Sequence, residues 1–202
     1  MSLEWLLDKG GPVVKYKTLT ELTSVTDYTI LHDLSNAILD LPQTQKRLTM
    51  LKNLDFNRVH GSDNTYLENV VPMLCDFGLN YNIDSFRSVS VQASDIFLNS
   101  YSYYEKIEVC PFLLYAKYPI NALMDIAIER INTIYGFTKN MDFDIYDDPE
   151  NHKTMPKPFR DRPVIKTSIV YGNYCRLPMI YDILMLAEVY DKASADLKSN
   201  LN

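Results

Sequence analysis

Apolar residues recur every three or four positions over several stretches of the chain, bracketed by polar punctuation. The clearest stretch runs from Thr65 to Phe77, where Leu67, Val70, Val71 and Leu74 share one helical face. Thr65, with Glu68 three residues on, has the capping-box pattern that satisfies two orphan N–H groups at a helix start. Gly78 supplies the C-terminal stop, and Pro72 inside the run removes one backbone donor and predicts a kink. A second helix is read from Asn121 to Tyr135, with Asn121 as its cap and Gly136 as its end. Its stripe is Leu123, Ile126, Ala127, Ile131 and Ile134. A third begins near Pro178 and carries Ile180, Ile183, Leu184, Ala187 and Tyr190. Shorter helices are expected at Leu3–Asp8, Tyr16–Thr23, Pro42–Leu54 and Asp95–Val109, the last rich enough in Tyr and Ser to suit a strand as well.

No other segment alternates cleanly at period two. The pattern predicts an all-α fold of irregular helical hairpins, with at least seven helices and no sheet beyond an isolated short ladder. Val71-Pro72-Met73-Leu74 is echoed by Cys110-Pro111-Phe112-Leu113, and Pro12-Val13-Val14-Lys15 by Pro163-Val164-Ile165-Lys166. Neither echo recurs at a constant short period, which excludes a regular helical-repeat array. Between Lys139 and Pro163 the helical pattern breaks into acids and prolines, read as an excursion at about 139–163 within a single helical domain spanning 1–202.

Composition narrows the function classes. The 202 residues are 47% hydrophobic and 23% charged, which suits a globular chain rather than a disordered one. A formal charge of −6 argues against a nucleic-acid-binding surface, which needs a clustered basic face. Three cysteines without a CxxC pair do not make a disulfide framework or a zinc site. No basic leader followed by an apolar run, and no membrane-length apolar segment, is present, so a cytoplasmic location with no membrane span is expected. Six glycines are few for hairpin-rich or phosphate-cradling folds, and 15 tyrosines offer amphipathic surface for helix packing or a pocket wall.

Three segments resemble a known superfamily. They are Glu4-Trp5-Leu6-Leu7 with Gly11 to Leu22; His60-Gly61-Ser62-Asp63-Asn64-Thr65 with Glu68-Asn69 and Asp76-Phe77-Gly78; and Arg162 to Ile165 with Arg176 to Asp182. Together they resemble uncharacterised bacterial proteins of the terpenoid-cyclase/prenyltransferase-like α/α-toroid superfamily. The resemblance implies paired helices arranged around a ring, of which this chain would supply an open arc. The superfamily's catalytic signatures do not carry over. Asp142-Phe143-Asp144-Ile145 lacks the last acid of DxDD, and Asp147-Asp148-Pro149-Glu150-Asn151 ends in Asn where DDxxD needs Asp.

Candidate ligand-contacting residues are therefore drawn from local chemistry. His60 and Asp63 lie in one polar loop, where a histidine is the usual proton shuttle and where turn-forming is the commoner role. Tyr101, Tyr103 and Tyr104 suit a sugar- or isoprenoid-contacting wall, although such stripes are more often core. Asp147 and Asp148 head an acidic loop suited to a hard cation, but the loop fails the EF-hand pattern, so no metal and no cofactor is assigned. These residues point first to a domain that binds a small molecule or protein partner on a concave face. The alternative is an isoprenoid-handling or polysaccharide lyase-like enzyme using His60, the tyrosines or the Asp142–Glu150 acids. The apolar stripe of the last helix predicts an open edge, either that of a fragment of a longer chain or one covered by self-association as a homodimer.

Overall fold

A computed structural model describes residues 3–23, 27–139, 145–148, 150, 166, 170–171, 174–175, 178–190 and 198–199. The fold is all-α, with ten helices among the described residues. They are α1 (Leu3–Lys9), α2 (Pro12–Leu22), α3 (Tyr28–Leu39), α4 (Pro42–Lys52), α5 (Leu67–Cys75), α6 (Asp84–Ser90), α7 (Gln92–Asn99), α8 (Tyr103–Tyr115), α9 (Asn121–Lys139) and α10 (Ile180–Val189). A two-stranded antiparallel ladder, β1 (Val170–Tyr171) with β2 (Tyr174–Cys175), is the isolated short sheet the pattern allowed.

The chain forms two compact units. One holds the described residues up to Ser100 together with Phe112–Ile120; the other holds Tyr101–Pro111 and the described residues from Asn121 onward. In the first, α1 packs on α2, α2 on α3, and α4 on both α5 and α6. Ile38, Leu51, Leu67, Leu74, Phe86 and Phe97 form its fully buried centre. In the second, α9 packs on α10. Leu123, Ala127 and Ile131 of α9 meet a core that also holds Ile107, Met185 and Val189. Cys110 donates to the Leu123 carbonyl at 3.3 Å, and burial pushes its thiol pKa far up, so it acts as a core residue.

Several boundaries differ from the sequence expectation, each for a local reason. The stretch Asp95–Val109 is broken into α7 and α8, because Ser102 caps a new helix. Glu105 accepts from the Ser102 N–H and hydroxyl, both at 2.7 Å. The helix that was expected to stop at Gly136 runs on to Lys139, since a helical glycine costs only about 1 kcal/mol and does not itself end a helix. Two helices had no expectation: α3, capped by Asp27, and α6.

The echo between the two proline segments is structural. Both α5 and α8 carry an interior proline, and each is closed by a left-handed residue six positions later: Gly78 at φ 88° and Lys117 at φ 59°. The closing bonds match. Leu79 N donates to Leu74 O at 3.1 Å and Gly78 N to Cys75 O at 2.8 Å; Tyr118 N donates to Leu113 O at 3.0 Å and Lys117 N to Leu114 O at 2.9 Å. Gly78 has a second constraint, because the Tyr16 ring occupies the space a Cβ would need.

On α10 the periodic stripe is the exposed one. Ile180 and Ile183 are 61% and 60% exposed, while Tyr181, Asp182, Met185 and Val189 are buried. The helix begins at Ile180 after Met179, not at Pro178. Its orientation follows from Asp182, which is drawn inward to the α9 arginine described below. Among the described residues no helix is long and apolar enough to cross a membrane.

Candidate functional site

The loop between α4 and α5 is assembled from the core outward. Leu54, Phe56 and Val59 are buried and pin its first half. Asp55 accepts from the Asn57 backbone at 3.0 Å and the Asn57 amide at 3.1 Å, making a tight turn. The chain then climbs back, so that Arg58 O accepts from Leu67 N at 3.0 Å and Val59 O from Glu68 N at 3.3 Å. These two carbonyls take up N–H groups at the start of α5.

That is why the expected Thr65/Glu68 capping box is not made. The Thr65 hydroxyl turns instead to Asp63, whose Oδ1 also accepts from Thr65 N at 2.7 Å. Glu68 reaches past the cap position to accept from Gly61 N at 2.8 Å. Asn69 closes the loop by donating to the carbonyls of Gly61 and Asp63, both at 2.8 Å. Gly61 can sit here only without a side chain, because the Tyr66 ring covers it. The Arg58 guanidinium lies 4.3 Å from the centroid of that same ring.

Two candidate residues therefore share one rigid loop. His60 meets the largely buried Glu68 carboxylate through Nδ1, at 2.9 Å from Oε2 and 2.8 Å from Oε1, while its own side chain is 66% exposed. A carboxylate on Nδ1 fixes the ring, the arrangement in which the other nitrogen can exchange a proton. Asp63 sits 3.8 Å from the Arg58 guanidinium. The Thr65 hydroxyl, then its backbone N–H, hold the Asp63 carboxyl below its ordinary pKa of 3.8.

Beside this loop, against the last turn of α4, is a half-open cavity of about 350 Å³. Its lining is Thr49, Met50, Asn53, Leu54, Asp55, Arg58, Asn64 and Thr65. Sequence reasoning missed it, apart from the loop it borders. The signal was the density of Asn, Asp and Thr between two helices, which also describes an ordinary turn.

The other candidates are placed elsewhere. Tyr101 is buried, Tyr103 donates its hydroxyl to Glu129 at 2.9 Å, and Tyr104 is 38% exposed; all three belong to the second unit. Tyr103 and Tyr104 are successive residues of one helix and are turned to different sides of it, and Tyr101 precedes that helix. Asp147 accepts from Asp148 N at 2.8 Å and Asp148 from Glu150 N at 2.9 Å, so both carboxylates shape their own turn. Asp142 and Asp144 lie outside the described residues. Among the described residues no three His, Cys, Asp or Glu side chains gather as metal ligands.

The most buried charges among the described residues went unforeseen. Arg130 of α9 and Asp182 of α10 are 1% and 5% exposed and pair bidentately, Nε to Oδ1 at 2.8 Å and Nη2 to Oδ2 at 2.9 Å. Asp182 Oδ2 also accepts from Met179 N at 2.8 Å, capping α10. The pair holds the two helices in register. No protein family, curated protein or solved structure matches the chain.

Proposed function

We propose that this chain is a binding domain whose ligand is a small molecule seated between the last turn of α4 and the loop that follows it. The observation that supports this reading is the 350 Å³ cavity, of a size that suits small ligands. The loop that forms one wall is anchored by three buried apolar side chains and by the Glu68 and Asn69 hydrogen bonds. Preorganised walls lower the ordering cost of binding.

Thr49 is exposed on α4 and lines the cavity, so Thr49→Trp fills the space from a position outside the core. A mixture of small polar metabolites, screened by ligand-observed NMR, should give compounds whose signal disappears in Thr49→Trp. Far-UV circular dichroism and Tm should stay as in the parent. Ligands that bind the variant equally well, or a screen without a single binder, would end the reading.

A further inference from the structure

Resting on that reading, we infer that the cavity takes a neutral, hydroxyl-rich ligand such as a monosaccharide or cyclitol. Several polar groups on the lining keep hydrogen-bonding capacity that the fold does not use. Asn53 donates its amide to Thr49 O at 3.0 Å, which leaves its side-chain oxygen as an acceptor. Asp55 uses Oδ1 for the Asn57 turn, which leaves Oδ2. Arg58 has five N–H donors, more than the neighbouring Tyr66 ring and Asp63 take up. Asn64 is exposed, and its amide has no hydrogen-bond partner among the described residues. Residues with donors and residues with acceptors thus line one small volume. A hydroxyl is both donor and acceptor, and a ring bearing several of them can satisfy such a set.

Charge decides against the alternatives. Asp55 and Arg58 both line the cavity, and Asp63 stands 3.8 Å from the same guanidinium. A phosphate or carboxylate drawn to Arg58 therefore meets two like charges, and a cation drawn to the acids meets Arg58. A neutral ligand meets neither penalty. Met50 and Leu54 supply an apolar patch for the C–H face of a ring.

Saturation-transfer NMR on the full chain tests this with glucose, sucrose and myo-inositol set against glucose 6-phosphate, citrate, choline and hexanol. Transfer is expected to the neutral polyols, unchanged on adding salt and abolished by Thr49→Trp. Asn64→Leu should weaken it about tenfold, the loss of one or two hydrogen bonds, with Tm unaltered. Transfer to the charged probes alone, fading with salt, would overturn the ligand class. So would transfer to hexanol alone. In either case, sensitivity to Thr49→Trp would leave the binding cavity standing. Polyol transfer that neither substitution changes would overturn the assignment to this site.

Discussion

Two carboxylates near helix starts do the same job in opposite surroundings. Glu68, the second residue of α5, accepts from Gly61 N and pairs with His60. Asp182, the third residue of α10, accepts from Met179 N and pairs with Arg130. Each ties a chain segment to a helix N-terminus and neutralises part of its charge on a base. The difference is the base's access to water: the His60 side chain is 66% exposed, that of Arg130 1%. Exposed pairs are screened and contribute roughly 0–1 kcal/mol, whereas removing one member of a buried pair strands a charge in the interior. The first region keeps its base in contact with water, and the second is committed to holding α9 against α10.

The largest effect expected is at the buried pair. Arg130→Met should cost about 3–5 kcal/mol in urea unfolding, because Asp182 is left charged and unpaired by its bidentate partner. Adding Asp182→Asn should return much of that loss, since the amide oxygen can still accept from Met179 N and no charge remains. A cost under about 1 kcal/mol for Arg130→Met would make this pair the equal of an exposed one and erase the contrast.

A smaller effect belongs to Glu68. Glu68→Ala leaves the part-buried Gly61 N–H without its acceptor, a loss of about 1–3 kcal/mol, and Glu68→Gln should restore part of it. His60→Ala removes only the exposed partner and should change stability by less than about 1 kcal/mol. Equal losses for Glu68→Ala and His60→Ala would mean that the ion pair, not the backbone bond, secures the loop.

The same contrast explains what could be read in advance. Period and punctuation exposed α5, because Leu67, Val70, Val71 and Leu74 are buried and Gly78 adopts the left-handed conformation that glycine favours. Lys117 closes α8 in the same geometry, yet lysine carries no such signal. The Thr65/Glu68 pattern was visible while its use was not, since the carbonyls of Arg58 and Val59 arrive from the preceding loop. Arg130 and Asp182 stand 52 residues apart, and nothing in either neighbourhood marks a pairing made by tertiary packing. The cavity is illegible for the same reason: its polar residues look like turn formers until α4 is placed beside them. Short spacing also suggested a ligand wall at Tyr101, Tyr103 and Tyr104 and, separately, a cation-suited loop at Asp147 and Asp148; Tyr103 bonds Glu129, and the two aspartates accept from backbone N–H groups of their own turn.

The smallest effect, and the finest test of the exposed region, lies at Asp63. Its carboxyl is held below 3.8, first by the Thr65 hydroxyl, then by the Thr65 backbone N–H. A carboxyl with a depressed folded pKa contributes stability that is fully present above its unfolded value. That contribution is lost as pH falls through the lower folded value. The stability difference between the parent chain and Asp63→Asn should therefore be flat near neutral pH. It should fall only on acidification below the ordinary carboxylate range, in favour of the variant. Thr65→Val removes the larger cause and keeps the backbone donor, so it should shrink the pH-dependent part without abolishing it. Denaturant titrations across the acid range decide the point. A difference that stays flat to the lowest pH at which the chain remains folded would show the Thr65 bonds open in solution, and with them the outer wall of the cavity loosened.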